Sequence, residues 1–470
     1  MNCTAIRNTL VAVFFLVGSL SLYAQTSLTL DSCRILALTN NRQAKEAKMQ
    51  VEKMNAEVKA YRANFFPRVS AQGTYFHSTG NFSYNRHINL LEGVNLSQLI
   101  ELGNLTPEQL LMLGQLTQLA NFDISLSIRP ENIFMAGIQV EQPIYMGGKI
   151  YSAYKMAQTG RQIAQLNIER SNSEIILKTD EAYWLYVKVN ALQETAQAYR
   201  DAVLQVRKDA ENALEAGMVS KNDLMKVQVK QGEAELMIRQ TENGRRLARM
   251  NLCMLLGVRL SEEIVPADTL SDELPVLPEA IPDATIRTEY VMLQKQLDVK
   301  KQQVNLARSE FLPQLGVSGG YTYLDGAKFN DYKLFNDGGF SIALSLKIPI
   351  VHGGEGINRV RSAKADLYTA AYQMDEMTDK LQMEIVQAYN AFDEAILSTV
   401  IARNEYRQTE ENLRVISDRH ELGLENLSSL LEAQALWKEA WSKYIEAKVT
   451  LRTAESNYKR TVGTQFISPN

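Results

Sequence analysis

The sequence predicts a mainly α-helical protein with a smaller β-barrel part, organised as two tandem structural repeats. Long proline-free stretches predict helical hairpins that pack as coiled coils. Four short stretches with alternating side chains predict β-strands that pair as β-hairpins. Landmarks of the first half recur in the second half at a constant offset of 206 residues, so one supersecondary unit occurs twice.

The offset holds along the whole repeated unit. Pro143 near its start corresponds to Pro349, and Gly257 at its end corresponds to Gly463. The matched pairs between them include Gly147 and Gly353, Tyr183 and Tyr389, Glu215 and Glu421, Gly217 and Gly423, and Gln228 and Gln434. Because the offset does not change, neither copy contains an insertion in this stretch.

The N-terminal end and the composition indicate an exported protein that does not bind nucleic acid. Residues 1–24 have the pattern of a secretory signal peptide, with Arg7 before an apolar stretch and the small Ala24 at its end. Cys33 and Cys253 are too few for a disulfide framework or a metal site. The formal net charge is −4 and both signs are mixed along the helices, which excludes a basic nucleic-acid surface.

Prolines, glycines and changes of period define the predicted boundaries. The first repeat covers residues 25–257, with a helix at 28–64, strands at 67–77 and 133–145, and long helices at 149–216 and 220–256. A proline-rich linker at 258–282 separates the repeats. The second repeat covers residues 283–463, with a helix at 283–311, strands at 313–324 and 339–350, and long helices at 354–422 and 427–462. A tail at 464–470 follows.

The long helices are predicted to pack against partner helices. From Lys149 to Ala216 there is no proline, which at ~1.5 Å per residue gives a helix of about 100 Å. Its apolar stripe advances in steps of four and three residues, through Leu192, Ala196, Tyr199, Val203, Val206, Ala210 and Ala213. Trp437 and Trp441 lie on a similar stripe of the last helix and are predicted to pack there rather than bind a cofactor.

Residues 77–132 form an insertion between the first two strands. The sequence Thr106-Pro107-Glu108 predicts the start of a helix, and a leucine-rich segment follows it. The second repeat has no counterpart of this insertion. Its place in the chain puts it at one end of the predicted barrel, as a cap over the mouth or packed against symmetry mates.

The alternating strands have one apolar face and one polar face. A small sheet on a globular core would explain this pattern, but the chain offers no such core. A membrane β-barrel wall also explains it, since lipid lies outside the wall and water inside. Four strands cannot enclose a water-filled channel, because even a closed barrel of eight strands has an interior that its own side chains fill. The sequence therefore predicts an oligomer, and three copies with twelve strands leave an obvious passage.

Several motifs in a fixed order carry a resemblance to a known family. They are the entry motif Leu28-Thr29-Leu30-Asp31, the helix ends Phe65-Phe66-Pro67 and Phe311-Leu312-Pro313, the two Pro-Ile-x-x-Gly-Gly junctions at 143 and 349, and the tips at 215–224 and 421–430. Through them the chain resembles the TolC family of outer-membrane efflux proteins over its whole mature length. Ser32-Cys33 departs from the Glu-Ala pair that is common in the family's entry motif.

The resemblance implies a homotrimeric duct in the outer membrane of a Gram-negative bacterium, with a long periplasmic extension. A twelve-stranded β-barrel in outer-membrane lipid would be continued by a twelve-helix α-barrel. The duct would serve a tripartite efflux or type I secretion system. It would open at its periplasmic tip when docked to a periplasmic adaptor (a membrane fusion protein) and an inner-membrane pump of RND, ABC or MFS type.

The resemblance also implies where the functional residues lie. Carried over from the tip glycines, the periplasmic gate would involve Asp223, Ser429 and Glu432. The position of Ser429 is an aspartate in the family, so the resemblance implies a single carboxylate ring of Glu432 instead of a double one. The adaptor-docking residues would be Gly217, Met218, Ser220, Gly423, Leu424 and Asn426.

The sequence predicts neither catalysis nor a cofactor. His77, His87, His352 and His420 are isolated and have no ligand partners at helical spacing, so a metal site is not expected. No arrangement of nucleophile, base and acid is recognisable. The alternative function is a non-channel periplasmic coiled-coil scaffold or adaptor, although adaptors normally carry a single hairpin and no such strands. The sequence does not choose between drugs, metals and proteins as cargo.

Overall fold

The computed structural model describes residues 26–80, 82–90, 92, 106–129, 132–326, 328–329, 332–333, 336–351 and 353–463. The predicted signal peptide at 1–24 and the tail at 464–470 lie outside these residues. The chain forms two compact units. A helical unit contains the described residues up to Val58, Lys155–Lys301 and those from Lys364 onwards, and a sheet unit contains Lys59–Tyr154 and Gln302–Ala363. Each sequence repeat contributes to both units, so the repeats are not separate domains.

The helices and strands follow the predicted order. In chain order they are β1 (Thr26–Leu28), α1 (Leu30–Asn40), α2 (Arg42–Ala63), β2 (Arg68–Phe76), β3 (Phe82–Asn89), α3 (Pro107–Ala120), β4 (Asn121–Arg129), β5 (Ile133–Met146), α4 (Lys149–Glu215), α5 (Lys221–Leu256), β6 (Ile264–Pro266), α6 (Thr288–Ser309), β7 (Gln314–Asp325), β8 (Lys328–Phe329), β9 (Tyr332–Lys333), β10 (Asn336–Lys347), α7 (Glu355–Glu421) and α8 (Leu427–Thr461). Within the part of the chain so described, no helix is both long and apolar enough to cross a membrane.

The predicted first helix at 28–64 is wrong in one respect, because it is two helices that meet at Asn41. Asn41 has an extended backbone, with φ −56° and ψ 138°. Its side chain is buried, donates to the Leu255 carbonyl at 2.7 Å and accepts from the Gln43 amide at 2.7 Å. The side chain thus caps the start of α2 and holds α1 against the end of α5.

The predicted helix at 283–311 also begins later than expected. Residues Ala284–Ile286 form one turn of 3-10 helix, and α6 starts at Thr288. Asp283 caps this turn by accepting from the Thr285 amide at 2.8 Å, and Arg287 returns to an extended backbone. A side chain that satisfies the amides of a short turn competes with a continuous helix at such a position.

The linker at 258–282 contains a strand that the sequence did not predict. Strand β6 pairs in parallel with β1, and Thr26 lies opposite Ile264. The Tyr183 hydroxyl of α4 contacts this region, donating to the Leu28 carbonyl at 3.1 Å and to Asp268 Oδ2 at 2.8 Å. The linker is therefore tied to the start of the chain and to the first long helix.

The two helical hairpins share buried cores, as the apolar stripe predicted. Ala196, Tyr199, Val203, Val206 and Ala210 of the predicted stripe are all buried. One core joins members of this stripe in α4 with residues of α5 and α8, among them Val227, Ala234, Leu427, Leu430 and Leu431. The Trp437 and Trp441 ring centroids lie 4.9 Å apart and Trp441 also meets Tyr406, which confirms packing in the second hairpin.

The main sheet of the sheet unit consists of β2, β5, β7 and β10. It is antiparallel throughout, and its strand order follows the chain order. The register places Val69, Val140, Gly319 and Ile342 in one row across the sheet, and Ala71, Ile138, Tyr321 and Phe340 in another. The row between them is Ser70, Gln139, Gly320 and Ser341. The predicted apolar and polar faces are therefore each continuous over four strands.

The last strand of the main sheet lies three residues earlier than predicted. Strand β10 runs from Asn336 to Lys347 rather than from 339 to 350. Its final residue pairs with Gln314, the first residue of β7, so the ladder has no partner beyond it. Pro349 also lacks an amide hydrogen that a longer ladder would need.

The 77–132 insertion contains the predicted helix and also a β-hairpin that was not predicted. Helix α3 starts after Thr106, whose amide donates to Gln109 Oε1 at 3.0 Å. Strands β3 and β4 pair, and β4 also pairs with β8 of the second repeat, which forms a second sheet in the order β3-β4-β8-β9. The prediction that the second repeat has no counterpart is thus wrong, because its short β8–β9 hairpin joins the same sheet.

Candidate functional site

The first hairpin tip is a tight turn between α4 and α5 that is closed by backbone hydrogen bonds. Gly217 has φ +71°, a left-handed conformation that glycine adopts without steric cost. The Met218 amide donates to the Ala213 carbonyl at 2.8 Å, and the Gly217 amide donates to the Leu214 carbonyl at 3.0 Å. This pair of bonds satisfies the last carbonyls of α4 and ends the helix where the sequence predicted.

Ser220 and Asp223 begin the returning helix with a reciprocal cap. The Asp223 amide donates to Ser220 Oγ at 3.2 Å, and the Ser220 amide donates to Asp223 Oδ2 at 3.3 Å. The Ser220 hydroxyl also donates to Asp223 Oδ2 at 2.8 Å. Hydrogen bonds from Ser220 and then from Lys226 hold the pKa of Asp223 below its ordinary value of 3.8. Asp223 is therefore an ionised helix cap.

Lys226 connects the two tips. Its Nζ lies 3.1 Å from Asp223 Oδ1 in its own helix and 3.1 Å from Ser428 Oγ at the start of α8. Ser428 belongs to the second repeat, so this bond joins the two hairpins at their tips. Lys226 is not one of the predicted gate residues. The sequence does contrast it with Glu432 at the matched position of the second tip, and this charge reversal indicates a local difference in role.

The second tip repeats the backbone geometry of the first with a different cap. Gly423 has φ +72°, and the Leu424 amide donates to the Arg419 carbonyl at 2.8 Å. Asn426 replaces Ser220, and its Oδ1 accepts from the Ser429 amide at 2.9 Å and from the Ser429 hydroxyl at 3.3 Å. His420 Nδ1 lies 2.9 Å from the Glu425 carbonyl and closes the turn from the α7 side.

Glu432 is the unpaired carboxylate of the candidate gate. Its side chain is exposed, and it forms neither a hydrogen bond nor an ion pair with the residues that the structure describes. Asp223, by contrast, is capped and paired with Lys226. The structure therefore separates the predicted gate residues into a neutralised pair on the first tip and a free negative charge on the second.

The predicted docking residues form an exposed surface over a packed base. Met218 is 80% exposed and Leu424 is 65% exposed. A Cβ added at Gly217 or Gly423 would meet no atom within 4 Å, so the backbone angle alone requires glycine at both positions. Exposed apolar side chains on rigid turns are a suitable contact for a protein partner.

A buried ion pair of the first repeat is connected to the second repeat by a serine hydroxyl elsewhere in the helical unit. Asp180 of α4 is fully buried and accepts from Arg34 Nε at 2.7 Å and Arg34 Nη2 at 2.6 Å. Ser456 of α8 donates to the same carboxylate at 2.7 Å. Although burial alone would lower the pKa of Arg34, the hydrogen bond and charge of Asp180 raise it. No sequence pattern predicts this contact, because the three residues are far apart in the chain.

No metal or reactive thiol site is found among the described residues. None of their His, Cys, Asp and Glu side chains form a group of three or more that could hold a metal ion. His77 contacts Asn132 and His87 contacts Asp123, each at 2.8 Å or less. Burial, followed by the charges of Asp268 and Asp180, raises the pKa of Cys33 to about 12. A thiol with so high a pKa is unreactive at neutral pH.

Comparison with known proteins gives matches along both repeats. The family model described as "Outer membrane efflux protein" matches residues 35–258 and 291–464. The outer membrane protein TolC of Vibrio cholerae is 24% identical over 310 residues, covering 61% of this chain and 70% of that protein. The alkaline protease secretion protein AprF of Pseudomonas aeruginosa is 22% identical over 341 residues and covers 69% of each chain.

Solved structures share the fold. The crystal structure of CusC superposes with a TM-score of 0.73 at 14% identity, covering 94% of this chain and 95% of that chain. The Campylobacter jejuni CmeC outer membrane channel superposes with a TM-score of 0.70 at 18% identity, covering 94% of this chain and 87% of that chain. At these identities the likeness concerns the fold alone.

Proposed function

The chain belongs to the outer membrane efflux protein family, and from this we propose that three copies form one trans-periplasmic duct. It is an outer-membrane efflux channel of the TolC type, a component of efflux or type I secretion systems of Gram-negative bacteria. It is a non-enzymatic transporter. The family match therefore favours the channel over the alternative of a periplasmic scaffold.

The main sheet is the observation that carries the trimer proposal. Its outer strands, β2 and β10, each have one unpaired edge within the described part of the chain. Three successive antiparallel pairings make β2 and β10 run in opposite directions, so pairing between copies continues the alternation. The apolar face is open, with Val69 69% exposed and Ile342 87% exposed. Twelve strands from three copies close a barrel around water, and this face meets the lipid.

The long helices support the same stoichiometry. Each copy supplies α4 and α7, of 67 residues each, and α5 and α8, of 36 and 35 residues. Three copies thus provide twelve helical segments for a periplasmic α-barrel. The partly heptad-like burial along α4 suits helices that pack side by side in such a wall.

The gate in this proposal lies at the hairpin tips. In the closed state the Lys226–Ser428 bond ties the first tip to the second, and three Glu432 side chains form one carboxylate ring. A periplasmic adaptor docks on Met218 and Leu424, with the backbone of Gly217, Ser220, Gly423 and Asn426 shaping the turns. Docking driven by an inner-membrane pump then breaks the Lys226 bond and opens the duct.

The cargo is not assigned by the relatives. Their names refer to alkaline protease secretion, to cobalt, zinc and cadmium resistance, and to antibiotic efflux. These are respectively a protein, metal ions and small organic molecules. The duct itself is therefore compatible with several cargo classes, and the pump that it serves selects among them.

Disulfide cross-linking between the sheet edges tests the proposed trimer. Cysteine pairs combine Ser70 or Gln72 of β2 with Ser341 or Ser345 of β10, all on the polar face and therefore not on the lipid side. The expected result, on SDS gels run without reductant, is a ladder of cross-linked species that ends at three subunits. The largest species is a trimer closed into a ring by three disulfide bonds. A matched control places both cysteines on interior strands, at the directly paired Glu141 of β5 and Ser318 of β7, and gives only intramolecular bonds. A ladder ending at two subunits, or none from any pair, refutes the trimer.

A further inference from the structure

The second sheet has the same strand order as the main sheet. The main sheet is ordered β2-β5-β7-β10 and the second sheet is ordered β3-β4-β8-β9. Each strand of one sheet is joined in sequence to the strand at the same place in the other, by residues 77–81, 130–132, 326–327 and 334–335. The two sheets are therefore connected strand for strand within one compact unit, and the insertion is not an independent domain.

Two of these connections contain a break with a positive backbone φ. Asn132, between β4 and β5, has φ +53°, and Gly326, between β7 and β8, has φ +106°. A Cβ added at Gly326 would clash with the Asn132 carbonyl oxygen, so these two breaks are packed together. The Tyr75 hydroxyl at the end of β2 donates to Asn132 Oδ1 at 2.8 Å. The breaks are thus fixed relative to one another.

The β3–β4 hairpin alternates between a polar face and an apolar face that only Arg86 interrupts. On one face its register pairs Tyr84 with Leu126, Arg86 with Ile124, and Ile88 with Phe122. On the other face it pairs Ser83 with Ser127, Asn85 with Ser125, His87 with Asp123, and Asn89 with Asn121. The apolar face is open, since Phe82 is 68% exposed and Tyr84 is 58% exposed. Such alternation fits a wall with water on one side only.

Helix α3 adds further uncovered apolar side chains beside this hairpin. Glu108 is its one charged residue. Leu110, Leu111, Met112 and Leu119 are 42%, 68%, 66% and 77% exposed, and at about 100° per residue Leu110 lies on the opposite side of the helix from Met112 and Leu119. A helix that is apolar on most sides requires an apolar environment around it.

We propose that the apolar face of the β3–β4 hairpin and helix α3 bind the outer leaflet of the outer membrane. This inference rests on the proposed function, in which the apolar face of the main sheet contacts lipid. The second sheet continues that wall, so its own apolar face continues the lipid-contacting surface. Aromatic rings among aliphatic side chains are typical of the membrane interface. The single cation on this face, Arg86, has a long apolar stem and a charged end that suits anionic headgroups.

Depth-dependent fluorescence quenching tests this contact in the full-length protein. Single cysteines at Tyr84 and Leu119 are labelled with a polarity-sensitive fluorophore; Cys33 and Cys253 are buried and their raised pKa values keep them from reacting. The protein is reconstituted into phosphatidylcholine–phosphatidylglycerol vesicles with or without brominated acyl chains. Ile342→Cys on the apolar face of the main sheet is the positive control, and Asn85→Cys on the polar face of the same hairpin is the negative control.

The expected result is at least twofold quenching by brominated chains at Tyr84 and Leu119, comparable with Ile342, and no quenching at Asn85. Quenching at Ile342 without quenching at Tyr84 and Leu119 overturns the inference and leaves the membrane wall intact. No quenching at Ile342 refutes the membrane wall itself. Disulfide-linked oligomers of unlabelled Leu119→Cys without lipid quenching assign the surface to a second copy of the chain, which also overturns the proposal.

Discussion

The buried carboxylate of Asp180 is expected to hold the two repeats together in the helical unit, and its replacement by asparagine tests this. Asp180 has no exposed side-chain surface and accepts two hydrogen bonds from Arg34 and one from Ser456. Asparagine has nearly the same shape as aspartate but carries no charge, and its NH₂ group would face the hydrogen-bond donors of Arg34 and Ser456. Arg34, whose side chain is only 18% exposed, then keeps its charge with only the exposed carboxylate of Asp31, 2.9 Å away, as an ion-pair partner.

The expected loss of stability is large. Removing one partner of a buried ion pair costs about 3 to 5 kcal/mol, because the remaining charge stays desolvated. The partial exposure of Arg34 allows some rehydration, so we expect the lower end, about 3 kcal/mol. That value corresponds to roughly a hundredfold increase in the unfolding equilibrium constant. Replacing both partners, as Arg34→Met with Asp180→Leu, removes the remaining charge and should restore most of the loss.

The measurement is guanidinium unfolding of the detergent-solubilised protein, followed by helical circular dichroism. The matched control is Asp418→Asn on α7, whose partner Arg414 is 60% exposed, and it should unfold at the wild-type midpoint. An Asp180→Asn midpoint equal to that of this control shows that the buried ion pair does not stabilise the protein. A double replacement as unstable as the sum of its single variants shows that Arg34 and Asp180 are not coupled.

Four further predictions concern the tips. Gly217→Val should lower drug resistance in complemented cells without abolishing trimers, because φ is positive at this position and valine does not adopt it readily. Gly217→Asn should retain most of the resistance. Equal resistance of the two variants contradicts this prediction. Glu432→Gln should weaken the block of the channel by divalent cations in planar bilayers, and Glu432→Asp should preserve it. If the block is the same in the wild type and in both variants, there is no carboxylate ring of Glu432. Lys226→Met should raise the open fraction of the channel more than Ser428→Ala, because it removes both tip bonds. Since the pKa of Asp223 is lowered from 3.8, wild-type conductance should be constant from neutral pH to about pH 5 and change only as the pH falls through that lowered pKa.

The parts of the fold that were predictable depend on patterns repeated over many residues. The alternation in Phe340, Ile342, Leu344 and Leu346 indicated a strand with one apolar face, and the register confirms that face across four strands. The paired glycines and the absence of proline located the long helices to within about two residues. In each case the same physical preference acts at many positions, so local exceptions do not hide it.

The errors occur where a single contact decides the local structure. The break at Asn41 depends on a carbonyl of Leu255, and β1 exists because it pairs with β6 far along the chain. No periodicity is recognisable in a strand of three residues. The β3–β4 hairpin is different, because its alternation was present in the sequence. Arg86 interrupts its apolar face, and the nearby leucine-rich helix favoured a helical interpretation of the whole insertion.

The backbone geometry of the candidate site was predictable from the sequence, but its side-chain contacts were not. Gly217, Gly423 and the cap positions follow from the requirements of a helix end and a helix start. The bond from Lys226 to Ser428 joins residues that are 202 positions apart, so only the tertiary structure reveals it. The same limitation applies to every contact between the two hairpins, because each depends on how they pack.

The difference between the two tips determines where net charge remains in the proposed closed duct. At matched positions the first tip has Asp223 and Lys226, which neutralise each other, and the second has Ser429 and Glu432. In a trimer the paired charges contribute no net charge at the tip, while three unpaired Glu432 side chains do. Like charges near a common axis repel unless water or cations screen them. The repulsion favours opening, and the Lys226–Ser428 bonds oppose it. In the proposed mechanism an adaptor would therefore open the duct by breaking exposed hydrogen bonds, and the electrostatic repulsion between the Glu432 side chains would assist it.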